Sequence, residues 1–305
     1  MSVLLDDPQS VETGSVILFG SGVVGSAIEK ALHRQGMVRA RPIRIQWRSH
    51  ERIETLKQWM EALPEQAGSN NTIVWAAGRA GFSADQTACD EELSAFVDTV
   101  HSIKQLVARR GRQSVSLHLV SSAGGLYEGV ARVSPATPLM PRRPYGFLKL
   151  QQEQRSLALS GSIPVTVHRV STVYGCPRPG QRVGLIGELI RNGLGRRPTS
   201  LYGAMDTLRD YVFSDEIGRH IASSITIERE PGSHIEMLVA GQPTPIAAVV
   251  ALVERVLSRR LLVSFQDAWN ARDITFDPAI RAPGFQPEAL RTGVSRALFQ
   301  FLSTR

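Results

Sequence analysis

Tyr145 stands four residues before Lys149 in the stretch PYGFLKLQQE. On a helix, positions i and i+4 share one face, so a phenol and an ammonium could meet at one point. With five Tyr and four Lys in 305 residues, a random chain holds about 0.07 such pairs, and a motif of this size means something only in the right structural context. The chemistry on offer is proton transfer. An ordinary tyrosine ionises near ~10, and bringing a phenol to neutrality takes about 4 kcal/mol of preferential phenolate stabilisation. A lysine one turn away supplies part of that.

A second chemical feature lies upstream. FGSGVVGSA places Gly20, Gly22 and Gly25 in G-x-G-x-x-G spacing between the apolar run SVILFG and a helical pattern with Val24, Ile28, Ala31 and Leu32 on one face. In this setting the first glycine permits a tight turn. The second lets a pyrophosphate approach the backbone, and the third lets helix and strand pack closely. The helix start offers unpaired N–H groups to phosphate. The reading is dinucleotide binding. At the end of the next strand, IQWRSHER puts Arg48 where an acid would bond a ribose hydroxyl, which leans the cofactor from NAD to NADP.

These groups need a scaffold, and the pattern provides one. Apolar strand runs at 15–20, 42–48, 71–78, 114–121 and 164–175 alternate with helical stretches at about 22–35, 53–63, 89–110 and 145–160. Such alternation predicts an α/β fold, a Rossmann-like doubly wound parallel sheet. After Gly175 the texture turns to Pro-, Gly- and Arg-rich loops. The expected organisation is a binding domain over 14–175, with 211–225 packing back on it. The stretches 176–210 and 230–305 then form a smaller substrate-binding lobe.

Composition removes several classes. The net charge of +7 comes from arginines scattered in pairs, with no helix that gathers them. That reads as solvated surface rather than nucleic-acid binding. No apolar run reaches the ~18–20 residues of a membrane span, and MSVLLDDPQS lacks the basic start of a signal peptide. The cytoplasm is the expected location. Cys89 and Cys176 make no disulfide framework, and His101, His118 and His168 lack ligand spacing with a carboxylate, so no metal is expected.

Three further stretches follow in order: HRVSTVYGCPRPGQ (168–181), SLYGAMDTLRDYVFSDEIGRHI (200–221) and GFQPEALRTGVSRAL (284–298). With the glycine turn and the Tyr–Lys pair they resemble the extended short-chain dehydrogenase/reductases, the NAD-dependent epimerase/dehydratase family acting on nucleotide sugars. The resemblance runs from about residue 15 to 300. It implies Tyr145 as acid/base and Lys149 as its support and ribose ligand. A strand-end hydroxyl completes the catalytic set, at Ser121 or Ser122 with Ser122 favoured, although counting back from Tyr127 puts the family position on Ala123. The implied cofactor contacts are Gly20, Gly22, Val23, Val24, Gly25, Trp47, Arg48, Ala76, Ala77, Gly78, Tyr145, Lys149 and Val170. The implied substrate contacts are Ser122, Thr172, Tyr202 and Arg209, with Arg209 clamping the diphosphate or else bridging Asp210 or Asp215 as a structural pair.

The chain also departs from the family pattern. The first glycine sits one position closer than in the family, Thr172 replaces an Asn, and no carboxylate follows Ser122, which speaks against a dehydratase. The resemblance thus implies an NAD(P)-dependent oxidoreductase on a nucleotide-diphosphate sugar, a C4 epimerase or a 4-ketoreductase, serving polysaccharide or glycan synthesis. A homodimer through helices 89–110 and 145–160 belongs to the same expectation. The rival reading is a non-catalytic NAD(P) sensor on the same fold.

Overall fold

The computed structural model describes residues 15–36, 41–43, 45, 52–61, 63, 71–110, 115–176, 182–266 and 272–303. The first half alternates as the apolar runs demand. Strand β1 (Val16–Phe19) leads to helix α1 (Val23–Arg34), β2 (Arg41–Ile43), α2 (Arg52–Glu61) and β3 (Asn71–Trp75). Then come α3 (Gln86–Arg110), β4 (Val115–Ser122), the short α4 (Ala123–Leu126), α5 (Pro144–Leu157) and β5 (Pro164–Val170). Beyond these lie β6 (Thr172–Tyr174), α6 (Leu185–Leu194), β7 (Thr199–Tyr202), β8 (Leu208–Arg209), β9 (Tyr211–Phe213) and α7 (Ser214–Ile225). The chain finishes with β10 (Gly232–Leu238), β11 (Thr244–Pro245), α8 (Ile246–Leu257), β12 (Val263–Gln266) and α9 (Leu290–Ser303).

The large sheet runs in the order β10-β5-β4-β3-β1-β2, and every neighbouring pair in it is parallel. Parallel strands need cover on both faces, and their side chains are accordingly sequestered: all four residues of β1 and all five of β3 are buried. One face is sealed by α2, α3 and α5 over Ile73, Trp75, Leu117 and Val167. There Trp75 meets Phe19 at 5.7 Å and Phe96 of α3 edge-on at 5.0 Å. The other face carries α1 and α7 over Leu18, Val74 and Val170. The chain reverses direction of travel between β1 and β3, so a crevice opens beyond their carboxyl ends.

Two boundaries differ from the sequence pattern. The run 164–175 reads as one strand, yet β5 ends at Val170. Thr172 then bonds Asp210 O at 3.1 Å, and β6 pairs with β9 instead of continuing in the sheet. The stretch 230–305 reads as lobe, yet β10 is the edge strand of the large sheet, in register with β5 from Gly232↔Pro164 to Leu238↔Val170. The pattern of β10 hides this, because an edge strand can leave His234 and Ile235 exposed while Met237 and Leu238 are buried. The remaining elements form the smaller lobe. There α6, α8 and α9 enclose Leu189, Ile190, Val249, Val253 and Val294, beside the strand pairs β7–β12 and β8–β11. Helix α7 lies along α1, while β9 before it pairs with β6 outside the large sheet.

Candidate active site

The crevice is a cavity of about 850 Å³, within the usual range for small-ligand sites. Its floor is the glycine turn. Gly20 adopts φ +105°, and a Cβ there would lie 2.6 Å from the backbone of Ala76. Gly25 sits behind the turn, where a Cβ would come within 2.2 Å of Gly20 O. Gly22 caps α1, and a Cβ on it would meet no atom within 4 Å, projecting into the crevice that it lines. The turn is thus tight at Gly20, open at Gly22 and closely packed at Gly25, a geometry that could admit a diphosphate. Val23, Val24, Ala76, Ala77 and Gly78 line the same wall, and Val170 closes it from β5. Trp47 and Arg48, with the lean to NADP that rests on Arg48, lie outside the described residues.

Helix α5 begins at Pro144, whose fixed φ suits the first helical position. Its approach to β4 is close: a Cβ on Gly146 would lie 2.4 Å from Gly125 O. This contact brings the Tyr145 ring beside the end of β4, against Gly125 and edge-on to Phe82 at 6.5 Å. Lys149 Nζ lies 5.6 Å from the Tyr145 ring centre, and both residues line the cavity, as does Ser122. Ser122 Oγ accepts the Gly125 N–H at 3.1 Å, which uses an acceptor position and leaves its O–H to donate. Ser121 is committed elsewhere, donating to Glu153 at 2.6 Å, and Ala123 is fully buried with no polar group to offer.

Lys149 is 5 % exposed. It donates to Glu92 Oε1 at 3.0 Å and to Gln152 Oε1 at 2.9 Å, leaving one of its three donors for a ligand. Burial opposes the Lys149 charge, but the Glu92 carboxylate and the neighbouring Tyr145 outweigh it and hold the ammonium above the usual lysine range.

Arg209 and Thr172 also line the cavity. Arg209 bonds the carbonyls of Leu208, at 2.9 Å, and of Arg272. It is bonded to neither carboxylate of the alternative reading. Asp210 takes Ser171 Oγ and the N–H groups of Ala240 and Gln242, while Asp215 takes Lys30 and Arg296. Burial pushes the Arg209 pKa down, and an arginine starts high enough to stay charged. Tyr202 is 69 % exposed and is not among the cavity residues.

Arg79 and Arg182, not singled out by sequence, add two more cations to the lining, and Arg182 donates to Ala80 O at 3.0 Å. No Asp or Glu lines the cavity among the described residues. The arginines match an anionic ligand.

The histidines form a separate cluster. His118 Nδ1 and His168 Nε2 are 3.1 Å apart, and Glu236 Oε2 lies 2.9 Å from both His168 Nδ1 and His220 Nε2. Tertiary pairing of β4, β5, β10 and α7 creates this grouping, which sequence spacing does not show; none of its residues lines the cavity. Burial pushes His118 and His168 below the usual imidazole range. The unfolded chain therefore takes up protons first, and stability is lost as pH falls below about 6.5. Glu216, pushed up to about 7 by burial, gains stability over the same range, so the histidine contribution is read by difference: compared with the wild type, His118→Asn should raise Tm at pH 5.5 relative to Tm at pH 7.5. An unchanged difference would refute this assignment.

A sequence model of the NAD dependent epimerase/dehydratase family matches residues 16–236, and the chain belongs to that family. Comparison with curated proteins finds no match. Among solved structures, MoeE5 in complex with UDP-glucose and NAD is similar with a TM-score of 0.78 at 24 % identity, over 95 % of this chain and 99 % of that one. The UDP-glucose 4-epimerase of Thermus thermophilus, in complex with NAD, gives a TM-score of 0.80 at 16 % identity, over 95 % and 100 %. The dTDP-glucose 4,6-dehydratase of Bacillus anthracis, in complex with NAD, gives 0.75 at 16 % identity, over 96 % and 98 %. These likenesses establish the shared Rossmann-like fold. No helix among the described residues is long and apolar enough to cross a membrane.

Proposed function

We infer that this protein is an NAD-dependent oxidoreductase that epimerises a nucleotide-diphosphate sugar at C4, in a route to polysaccharide or glycan. The observation that carries the reading is a single cavity lined by a glycine turn that could admit a diphosphate, by Tyr145, Lys149 and Ser122, and by Arg209. The relatives in complex with NAD and UDP-glucose support the cofactor and the substrate class.

Gly22 and the start of α1 would hold the pyrophosphate, with Ala76, Ala77 and Val170 against the remainder of the cofactor. Bound there, the nicotinamide supplies a reversible hydride acceptor. Tyr145 removes the proton from the sugar hydroxyl as that carbon is oxidised, and returns it when the carbon is reduced from the opposite face. Ser122 donates a hydrogen bond to the reacting oxygen, and Lys149 stabilises the phenolate. Arg209 and Arg182 meet the substrate diphosphate, and a guanidinium suits that role through its paired donors. A 4-ketoreductase uses the same groups but exchanges its cofactor each turn. A homodimer would pair α3 with α5, whose Val97 and Phe147 are exposed.

The test is a chromatographic and mass-spectrometric screen of UDP- and dTDP-sugars with NAD or NADPH. The expected result is interconversion of C4 epimers without net cofactor consumption. Stoichiometric NADPH consumption would replace the epimerase with the reductase, and inertness toward every nucleotide sugar would reject both.

A further inference from the structure

Glu92 is wholly buried, on the face of α3 that otherwise carries Cys89, Ala95, Phe96 and Thr99. A lone carboxylate on an apolar helix face is costly unless it is paired and bonded. Both oxygens are in fact saturated. Oε2 accepts the backbone N–H groups of Arg79 at 2.8 Å and Ala80 at 2.9 Å, and Oε1 accepts Lys149 Nζ at 3.0 Å and Gln152 Nε2 at 3.1 Å. One side chain therefore joins the loop after β3, which forms a wall of the cavity, to the ammonium at its centre. We propose that Glu92 is a positioning residue for Lys149: it keeps the ammonium charged inside a buried site and aims its remaining donor at the ligand. The consequence for catalysis rests on the reading of Tyr145 and Lys149 as the reacting pair; the consequence for the charge of Lys149 does not.

The surroundings leave Glu92 as the anion that does this. On α5, Tyr145 lies one turn before Lys149, and Glu153, on the next turn, is bound by Arg169 and Ser121. On α3, Cys89 sits one turn before Glu92, its thiol pushed up by burial and then by Glu92, and Glu91 pairs with Arg79. In the loop after β3, Ala80 O accepts from Arg182, and Arg143 stacks on Phe82 at 4.6 Å. Without Glu92, burial, which is the largest influence on Lys149, works against the charge with only Tyr145 and Cys89 left on the other side.

With four lysines in the chain, the lysine side chains can be followed singly by NMR of protein labelled with 13C at Cε. In the wild type, Lys149 should titrate above the usual lysine range. In Glu92→Gln it should titrate about two pH units or more below its wild-type position, a size ordinary for a buried lysine stripped of its partner. Glu92→Asp keeps the charge and should restore most of the difference. In parallel, the pH profile of kcat should gain an alkaline fall in Glu92→Gln that the wild type lacks.

A Lys149 titration that is the same in wild type and Glu92→Gln would overturn the proposal. Should Glu92→Gln fail to fold, Glu92→Asp decides alone: Lys149 should stay near its wild-type position, and a fall as large as that expected for loss of the pair would overturn the proposal. A shifted titration with kcat untouched in both Glu92→Gln and Tyr145→Phe would uphold the role of Glu92 toward Lys149 and reject the catalytic reading instead.

Discussion

Tyr145→Phe lowers turnover of the nucleotide sugar by about a thousandfold, within the range for removal of a general acid/base, while NAD binds with unchanged affinity. The separation follows from geometry. The Tyr145 ring is held by Gly125 and Phe82, contacts that phenylalanine keeps, so only the hydroxyl is lost. The glycine turn and the residues after β3, proposed to hold most of the dinucleotide, keep their structure in the variant, and the phenyl ring keeps the non-polar part of the Tyr145 contact. The measurement is steady-state turnover beside calorimetric titration of NAD. Full activity in the variant would reject Tyr145 as the proton carrier. An unaltered role in vivo alongside NAD binding would favour the non-catalytic sensor.

The second large effect is a contrast between two glycines three residues apart. Gly25→Ala drives a Cβ to 2.2 Å from Gly20 O, a backbone atom that cannot swing aside. It should cost about 3 kcal/mol, at the upper end for overpacking, and lower Tm by about 5 °C, with NAD binding lost as the turn opens. Gly22→Ala places its Cβ where no atom lies within 4 Å. It should melt within about 1 °C of wild type, since nothing is displaced. It should nevertheless bind NAD about tenfold or more weakly, because the added carbon occupies the approach of the pyrophosphate. Wild-type NAD affinity in Gly22→Ala would show that the dinucleotide does not cross this turn.

Local features of the site were legible because they are written in consecutive residues. The strand–glycine–helix junction at 15–25 and the Tyr–Lys pair at 145–149 both need only helix and strand geometry to be understood, and both sit in the structure where that geometry puts them. Arg182 and the His118–His168–Glu236 chain were not legible, since their partners are 102, 50 and 68 residues away and meet only through the topology. Glu92 left one trace, a charge at a position of α3 where the periodicity calls for an apolar side chain; that signal marks burial but not the partner. β10 was misplaced for a different reason. It is exposed over its first half and buried only at Met237 and Leu238, and such an edge strand carries no mark of the sheet it joins. Arg209 reached the cavity as the resemblance implies, yet its bonds to carbonyls rather than to Asp210 or Asp215 follow from how β8 lies against residue 272.

The late arrival of β10 and α7 bears on how the protein is made. Until residue 238 has left the ribosome, β5 has an open edge, and Leu18, Val74 and Val170 lack the cover that α7 provides. Synthesis of most of the smaller lobe's first half intervenes between these pieces. The nucleotide-holding half is thus no separable cassette: a chain stopped after Gly175 carries the phosphate turn and the tyrosine but exposes a sticky sheet edge and a bare apolar face. A chain halted at that point is therefore expected to aggregate through the unpaired edge of β5 and the sheet face that α7 no longer covers.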